Sequence, residues 1–236
     1  MRDFKPQIWN GVPIPYNAHV ADLRGMVESP GPRAWAAIRA LAEKPEPDAL
    51  AVLVELTGSS DPHVRRSTVE AIGIHRSGRT VSDVVCQLLQ DPADFVVRSA
   101  IQAAANLGLG AAHERVLSLV KAAEESTRLA ALHALKDLWR PSDFDAVFDR
   151  YIHDRSDGVR KQAAWTVHKN AGKEHWERVF SAWSKDLVPR HRVWACELAG
   201  SFGSRAVLPA LVTLRTDRDG HVRRAARRAA ERIDAA

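Results

Sequence analysis

The sequence predicts an all-α fold, an α-solenoid of about seven two-helix repeats. Three observations carry this. An arginine recurs at Arg33, Arg65, Arg98, Arg128, Arg160, Arg192 and Arg223, at separations of 32, 33, 30, 32, 32 and 31 residues. After each arginine the positions +3, +6, +7 and +10 are mostly small or apolar, the period of a helix with one buried stripe. No segment shows convincing strand alternation. One such unit cannot bury its own apolar face, so the copies must stack side by side.

Taken in order, residues 1–17 read as an extended arm, with Phe4, Ile8, Trp9, Val12, Ile14 and Tyr16 set among prolines and glycine. These apolar groups either cover the open face of the first repeat or form a docking peptide. Residues 18–236 read as a single solenoid domain. The clearest copies are DPHVRRSTVEAIG from Asp61, DPADFVVRSAIQAAANLG from Asp91, DRSDGVRKQAAWTVHKNAG from Asp154 and DRDGHVRRAARRAAERI from Asp217; weaker ones sit at Arg33, Arg128 and Arg192. The Asp before each Arg, often with Pro or Gly, supplies a cap and fixes the turn into a helix B. The preceding helices A read from residues 49–56, 81–89, 113–122, 143–151, 175–183 and 205–214. Gly73, Gly108, Gly172, Gly200 and Gly203 stand where helix B should stop, as C-cap glycines do.

Composition narrows the class. The 236 residues are 45% hydrophobic and 27% charged, enough apolar content for a core and against wholesale disorder. No run approaches the ~18 apolar residues of a membrane helix, and the first residues lack a signal-peptide stretch, so a cytoplasmic protein is expected. Cys86 and Cys196 make neither a disulfide framework nor a Cys-x-x-Cys pair. Residues 1–118 carry 12 Lys/Arg against 13 Asp/Glu, and residues 119–236 carry 22 against 16. The basic C-terminal half can steer acidic partners or nucleic acid, or simply be a soluble end.

The pattern D-x-x-V-R-x-x-A-x-x-A-L-G, clearest from Asp61 to Gly73 and from Asp154 to Val167, resembles the short bacterial form of the HEAT repeat, called PBS-lyase HEAT-like. The resemblance spans about residues 19–233. It implies a binding scaffold more often than an enzyme, and B helices that line a concave face.

At 100° per residue, positions +1, +5, +8 and +12 of helix B point away from the core. Position +1 holds Ala34, Arg66, Ser99, Leu129, Lys161, Val193 and Arg224; position +5 holds Ile38, Glu70, Ala103, His133, Trp165, Glu197 and Arg228. The expected groove residues are therefore Arg66, Glu70, His133, Lys161, Trp165, Glu197, Arg224 and Arg228, centred on repeats four to six. The seven recurrent arginines are read as a structural ladder, each pairing with a turn Asp of its own or the next repeat. Trp35 and Trp194 at +2 should pack on neighbouring helices, Trp176 and Trp183 belong to the core, and Trp139 closes its helix. Trp165 is either an exposed anchor or an amphipathic ring lying over the helix surface.

No catalytic residue, cofactor or metal site is expected. G-x-x-x-x-G-K-[ST], G-x-G-x-x-G, H-E-x-x-H and G-x-S-x-G are all missing. Hydroxylases of HEAT-like repeats use repeated His-Glu dipeptides, and only His113-Glu114 occurs here. Trp165 with Glu197 or Asp137 faintly echoes HEAT-like alkylpurine DNA glycosylases, but Ile38, Glu70 and Ala103 fit a phosphate-gripping groove poorly. Nothing specifies the bilin handling of the phycobilin lyases. Cys196 at +4 reads as a half-buried small side chain rather than a nucleophile. The preferred reading is a protein-segment-binding scaffold, monomeric or weakly associating, without membrane contact. Its competitor is nucleic-acid binding by the basic C-terminal half.

Overall fold

The computed structural model describes residues 8–9, 11–28 and 31–235. These contain fourteen α-helices: α1 (Val20–Met26), α2 (Pro32–Glu43), α3 (Pro47–Leu56), α4 (Pro62–Ile72), α5 (Ser82–Leu88), α6 (Asp94–Asn106), α7 (His113–Ser118), α8 (Glu125–Leu138), α9 (Phe144–His153), α10 (Asp157–Asn170), α11 (Trp176–Trp183), α12 (Pro189–Phe202), α13 (Leu208–Leu214) and α14 (Gly220–Asp234). The even-numbered helices are the seven helices B and α3 to α13 are the six helices A, so the architecture is an all-α repeat solenoid. Among the described residues no helix is long and apolar enough to cross a membrane.

Local chemistry explains the helix starts. Proline stands in the first turn of α2, α3, α4 and α12, where its missing N–H costs nothing. Asp61 caps α4 by accepting from the His63 N–H, and Asp219 caps α14 by accepting from His221 and Val222. The stops differ from expectation. Of the five glycines read as C-caps, only Gly108 is left-handed (φ 61°), with the Leu109 N–H donating 2.9 Å to the Ala104 carbonyl. Gly73 and Gly200 instead allow close helix approach: a Cβ at Gly73 would lie 2.8 Å from the Ala103 Cβ, and one at Gly200, inside α12, 3.1 Å from the Ala229 Cα.

The chain divides into two compact units, residues 1–139 with 155–162, and residues 140–154 with 163–236. In the first unit α2, α4, α6 and α8 stand side by side, each paired with the helix A that precedes it. Their core is aliphatic, with Leu41, Leu53, Ile72, Leu89, Ile101, Leu132 and Leu135 fully buried. A two-residue antiparallel pairing, Ile8–Trp9 with Val12–Pro13, lies against α2, and Ile14 is buried. The expectations for Phe4 and for the side chains of Ile8 and Trp9 fall outside the described residues. In the second unit α11 and α14 pack on α12, and α13 on α14. Its core is aromatic, with Phe144 and Phe148 of α9 and Trp176, Phe180 and Trp183 of α11 all buried.

The first copy keeps a different register. Arg65 and Arg192 are each three residues beyond the proline that opens their helix, whereas Arg33 directly follows Pro32 and Trp35 holds the equivalent place. Arg33 is therefore exposed with no ion pair among the described residues, and is not a ladder residue. For the same reason Ala34 and Ile38, placed in the groove by the sequence, lie in the core at 0% and 1% exposure.

Four of the other six arginines share one geometry. Nη1 of Arg65, Arg128, Arg192 and Arg223 donates to the carbonyls six and five residues earlier, tying each helix B to its own turn. Arg65 Nε and Nη2 also clamp Asp91 of the next repeat at 2.7 and 2.8 Å, and Arg192 clamps Asp217 at the same distances. Each aspartate also accepts the N–H two residues on, from Ala93 and Asp219. Arg160 reaches Asp157 within its own helix. Arg98 stands four residues past the start of α6 and not three, so Val97 holds the ladder place, and the Arg98 side chain makes no hydrogen bond or ion pair among the described residues.

The Asp91 side chain is only 3% exposed, so removing its partner strands a buried carboxylate. Arg65→Ala should cost about 3 kcal/mol in chemical unfolding. Hydrogen bonds from Arg65 and Arg192 hold the Asp91 and Asp217 carboxyls below the usual range. Their contribution is complete above the ordinary carboxylate pKa of about 4 and is lost as pH falls toward the lowered folded values. The melting temperature should drop through that window, and less steeply in an Arg65→Ala/Arg192→Ala variant.

Candidate functional site

The helix-B face of the first unit holds an open depression of about 480 Å³ between α2, α4 and α6. Arg39 enters from α2, Arg66, Glu70 and Ile74 from α4 and the residues after it, and Phe95, Arg98, Ser99, Gln102 and Asn106 from α6. Arg66 Nε donates to Glu70 Oε1 at 2.9 Å, and Ser99 Oγ donates to the same oxygen at 2.8 Å. Glu70 is thereby satisfied from two helices. Gln102 donates to Asn106 at 2.7 Å, and the His63 ring stacks on Phe95 at 5.1 Å. Arg39 is 3.6 Å from Glu43. Three guanidinium groups against one carboxylate, beside an aromatic ring and two amides, suit an anionic segment with apolar neighbours.

The second unit carries a different cluster. Trp165 is half-buried: its ring lies 5.7 Å from that of Trp194, and Lys169 Nζ sits 4.6 Å from its centroid. His168 stacks on Trp194 at 4.4 Å and 9°, with Nε2 3.8 Å from Glu197. Trp194 continues into Trp183 and His191. Behind them the Tyr151 hydroxyl donates to Asp186, which also pairs with His191 Nδ1 at 3.0 Å. Burial, with the Asp186 charge beside it, pushes the Tyr151 hydroxyl up. Burial works against the Asp186 carboxylate, yet hydrogen bonds from Tyr151, His191 and the Val188 N–H outweigh it and hold its pKa down. This is a packed polar-aromatic core. Cys196 is fully buried and its thiol is pushed up to about 12, mainly by burial, which makes it a poor nucleophile.

The expected groove residues separate accordingly. Arg66, Glu70, His133 and Lys161 belong to the first unit; Trp165, Glu197, Arg224 and Arg228 belong to the second. Arg66 and Glu70 meet in the depression just described. His133 is exposed on α8, and Lys161 pairs with Asp157 one turn earlier. Glu197 and Arg228 line a 340 Å³ hollow with Arg232, while Arg224 lies 3.1 Å from His221 Nδ1. The sequence reading missed Arg39, Phe95, Gln102 and Asn106, and placed Arg98 in the ladder. Asn106 was accessible to it, as position +8 of the third copy.

Residues 28–106 match the family model for HEAT repeats. The fold is that of HEAT-like repeats. An archaeal HEAT-like repeats protein from Thermococcus onnurineus NA1 superposes with a TM-score of 0.59 at 15% identity, covering 92% of this chain and 98% of that one. An engineered protein gives 0.62 at 18% identity, covering 91% and 68%. A designed armadillo repeat protein in complex with the peptide (KR)4 gives 0.51 at 18% identity, covering 92% and 100%. At these identities the likeness is one of fold. No curated protein matches the sequence.

Burial first, and the nearby Lys169 charge second, lower the His168 pKa to about 4. The unfolded chain takes up that proton near the ordinary value of about 6.5, so this residue costs stability as pH falls from 6.5 toward 4. In an NMR titration the His168 Cε1 resonance should stay unshifted above pH 5, and His168→Gln should flatten that part of the stability profile.

Proposed function

We propose that the chain is a non-enzymatic, cytoplasmic binding scaffold whose helix-B face in the first unit holds an acidic segment of another protein. The observation that carries this is the depression between α2, α4 and α6, lined by Arg39, Arg66 and Arg98 and by one carboxylate, Glu70, that is already paired. The designed armadillo neighbour was captured with a basic (KR)4 peptide. Here the lining charge has the opposite sign to one suited for such a peptide, so the partner segment is acidic. Phe95 and Ile74 supply apolar contact, and Gln102 and Asn106 can meet a peptide backbone. The scaffold acts as a monomer or weak oligomer.

Fluorescence anisotropy with labelled acetyl-(Asp-Glu)4-amide tests this. Arg66→Glu should weaken binding at least about tenfold, a loss of ~1.4 kcal/mol. As a substitution of an exposed residue, it should leave stability within about 0.5 kcal/mol. Acetyl-(Lys-Arg)4-amide should not bind; equal affinity for both peptides would sink the proposal.

A second reading rests on α14, where Arg224, Arg227, Arg228 and Arg232 are all exposed. Such a face can grip phosphates, with affinity for duplex DNA that falls steeply with salt. A gel shift at low ionic strength decides whether it does.

A further inference from the structure

We infer that Arg223 of α14 is a preformed receptor for the carboxylate of an aspartate in a turn of a partner protein. The site lies in the second unit and does not depend on the groove reading above.

Arg223 holds the same place as Arg65 and Arg192, three residues beyond the start of its helix. Its Nη1 donates to the Asp217 and Arg218 carbonyls at 2.8 and 3.0 Å, as Nη1 of Arg192 does to the Asp186 and Leu187 carbonyls at 2.7 and 3.1 Å. These bonds orient the flat guanidinium group. In Arg65 and Arg192 the remaining edge, Nε with Nη2, clamps an aspartate of the following turn at 2.7 and 2.8 Å. In Arg223 that edge meets no acceptor among the described residues, and the residue is exposed.

An exposed arginine is ordinarily a flexible chain that must be ordered before it can grip a ligand. Here the turn carbonyls have already done that ordering. The two occupied copies also define the ligand. Asp91 and Asp217 each offer both oxygens to the fork and accept the backbone N–H two residues on, at 2.9 and 2.8 Å. A short acidic side chain closes such a turn, so the ligand group is an aspartate held bidentately.

The open face of α14 tells how the partner sits. On α12, Val193 and Cys196 line hollows shared with α14, and a Cβ at Gly200 would lie 3.1 Å from the Ala229 Cα. These three residues stand one, four and eight places past Arg192. The same places past Arg223 hold Arg224, Arg227 and Glu231, all exposed. Burying them under a packed helix pair strands charges, so the occupant is a turn held by charge. Arg223, Arg224 and Arg227 against Glu231 leave that face positive and complementary to an acidic turn.

The probe is acetyl-Gln-Asp-Pro-Ala-Asp-amide, which copies residues 90–94, the turn that Arg65 receives. It is titrated into the full chain while the arginine Nε–Hε resonances are followed by NMR. The Arg223 resonance should shift and saturate, and asparagine in place of the first peptide aspartate should weaken binding at least about tenfold. Arg223→Lys keeps the charge, loses the fork and should weaken binding as much. Arg227→Glu should weaken it with the melting temperature unchanged, and Arg205→Ala, away from α14, should not weaken it. Absence of a saturable Arg223 shift up to about 10 mM peptide overturns the inference. Equal affinity in Arg223→Lys does so too, because charge alone then accounts for binding. Shifts confined to Arg39, Arg66 and Arg98 overturn it while leaving the first-unit groove standing. A twelve-nucleotide single-stranded DNA that binds more tightly than the peptide, in an Arg223-dependent way, overturns the carboxylate assignment. Arg223-dependent dimerisation in light scattering overturns the partner, making the occupant a second copy of this chain.

Discussion

A two-helix unit of about thirty residues leaves part of its apolar stripe in water, and only another unit can cover it. The rest of the structure follows from that deficit. Helix B is inserted between neighbours and must meet them on both flanks, so its buried positions are filled largely by small residues. Ala100, Ala103 and Ala104 of α6, and Ala195 and Ala199 of α12, are all buried. Gly73 against Ala103 and Gly200 against Ala229 mark where even a methyl group would be too much. Small residues contribute little area each, but they let backbones approach and bring many atoms into van der Waals contact.

Stacking creates a second problem at the turns. Each turn between helices A and B carries carbonyls with no helical partner, and neighbouring repeats press on them. The guanidinium group answers both needs, because one nitrogen can bond the turn carbonyls while the opposite edge holds a carboxylate from the adjoining turn. At Arg65 the same side chain closes its own turn and fixes the position of the next. The ladder is thus part of how the repeats are spaced, rather than a surface ornament.

This explains how much was legible in the sequence. The arginine spacing and the 3.6-residue stripe place the helices, because both report on the stack. They misplace Arg33, Ala34 and Ile38, because aligning on an arginine ignores Pro32, which starts α2 too close to Arg33 for the alignment to hold. The position of the opening proline was the better ruler. The wheel positions bring Arg66, Glu70, Ser99 and Asn106 to one face, since that face is fixed by the same period. They could not show that Trp165 would be flanked by Trp194 and Lys169, which depends on ring orientations about one repeat apart in sequence. Nor, aligned on the arginine, could they show that Arg98 stands one residue beyond the ladder place, which Val97 holds, because that difference is set by where α6 starts.

The ladder's two members are also unequal in a way that bears on function. Removing the arginine leaves a carboxylate buried against its neighbours, as Asp91 would be, with no solvent to turn to. Removing the aspartate leaves a long, flexible cation that can swing its head into water at little cost. Losing the acidic residue alone is therefore the cheaper change, and losing the arginine alone strands a buried carboxylate. The first copy lacks the arginine at the equivalent place, where Trp35 stands, and the turn of the second copy has Ser59 where an acidic residue would otherwise be buried. The fourth copy has Ala122 there, and in the helix before it Val97 stands where the ladder arginine would be. Where the carboxylate is missing from the turn, the arginine is missing too, so the pair is absent as a unit and the stack is spared a buried carboxylate without a partner.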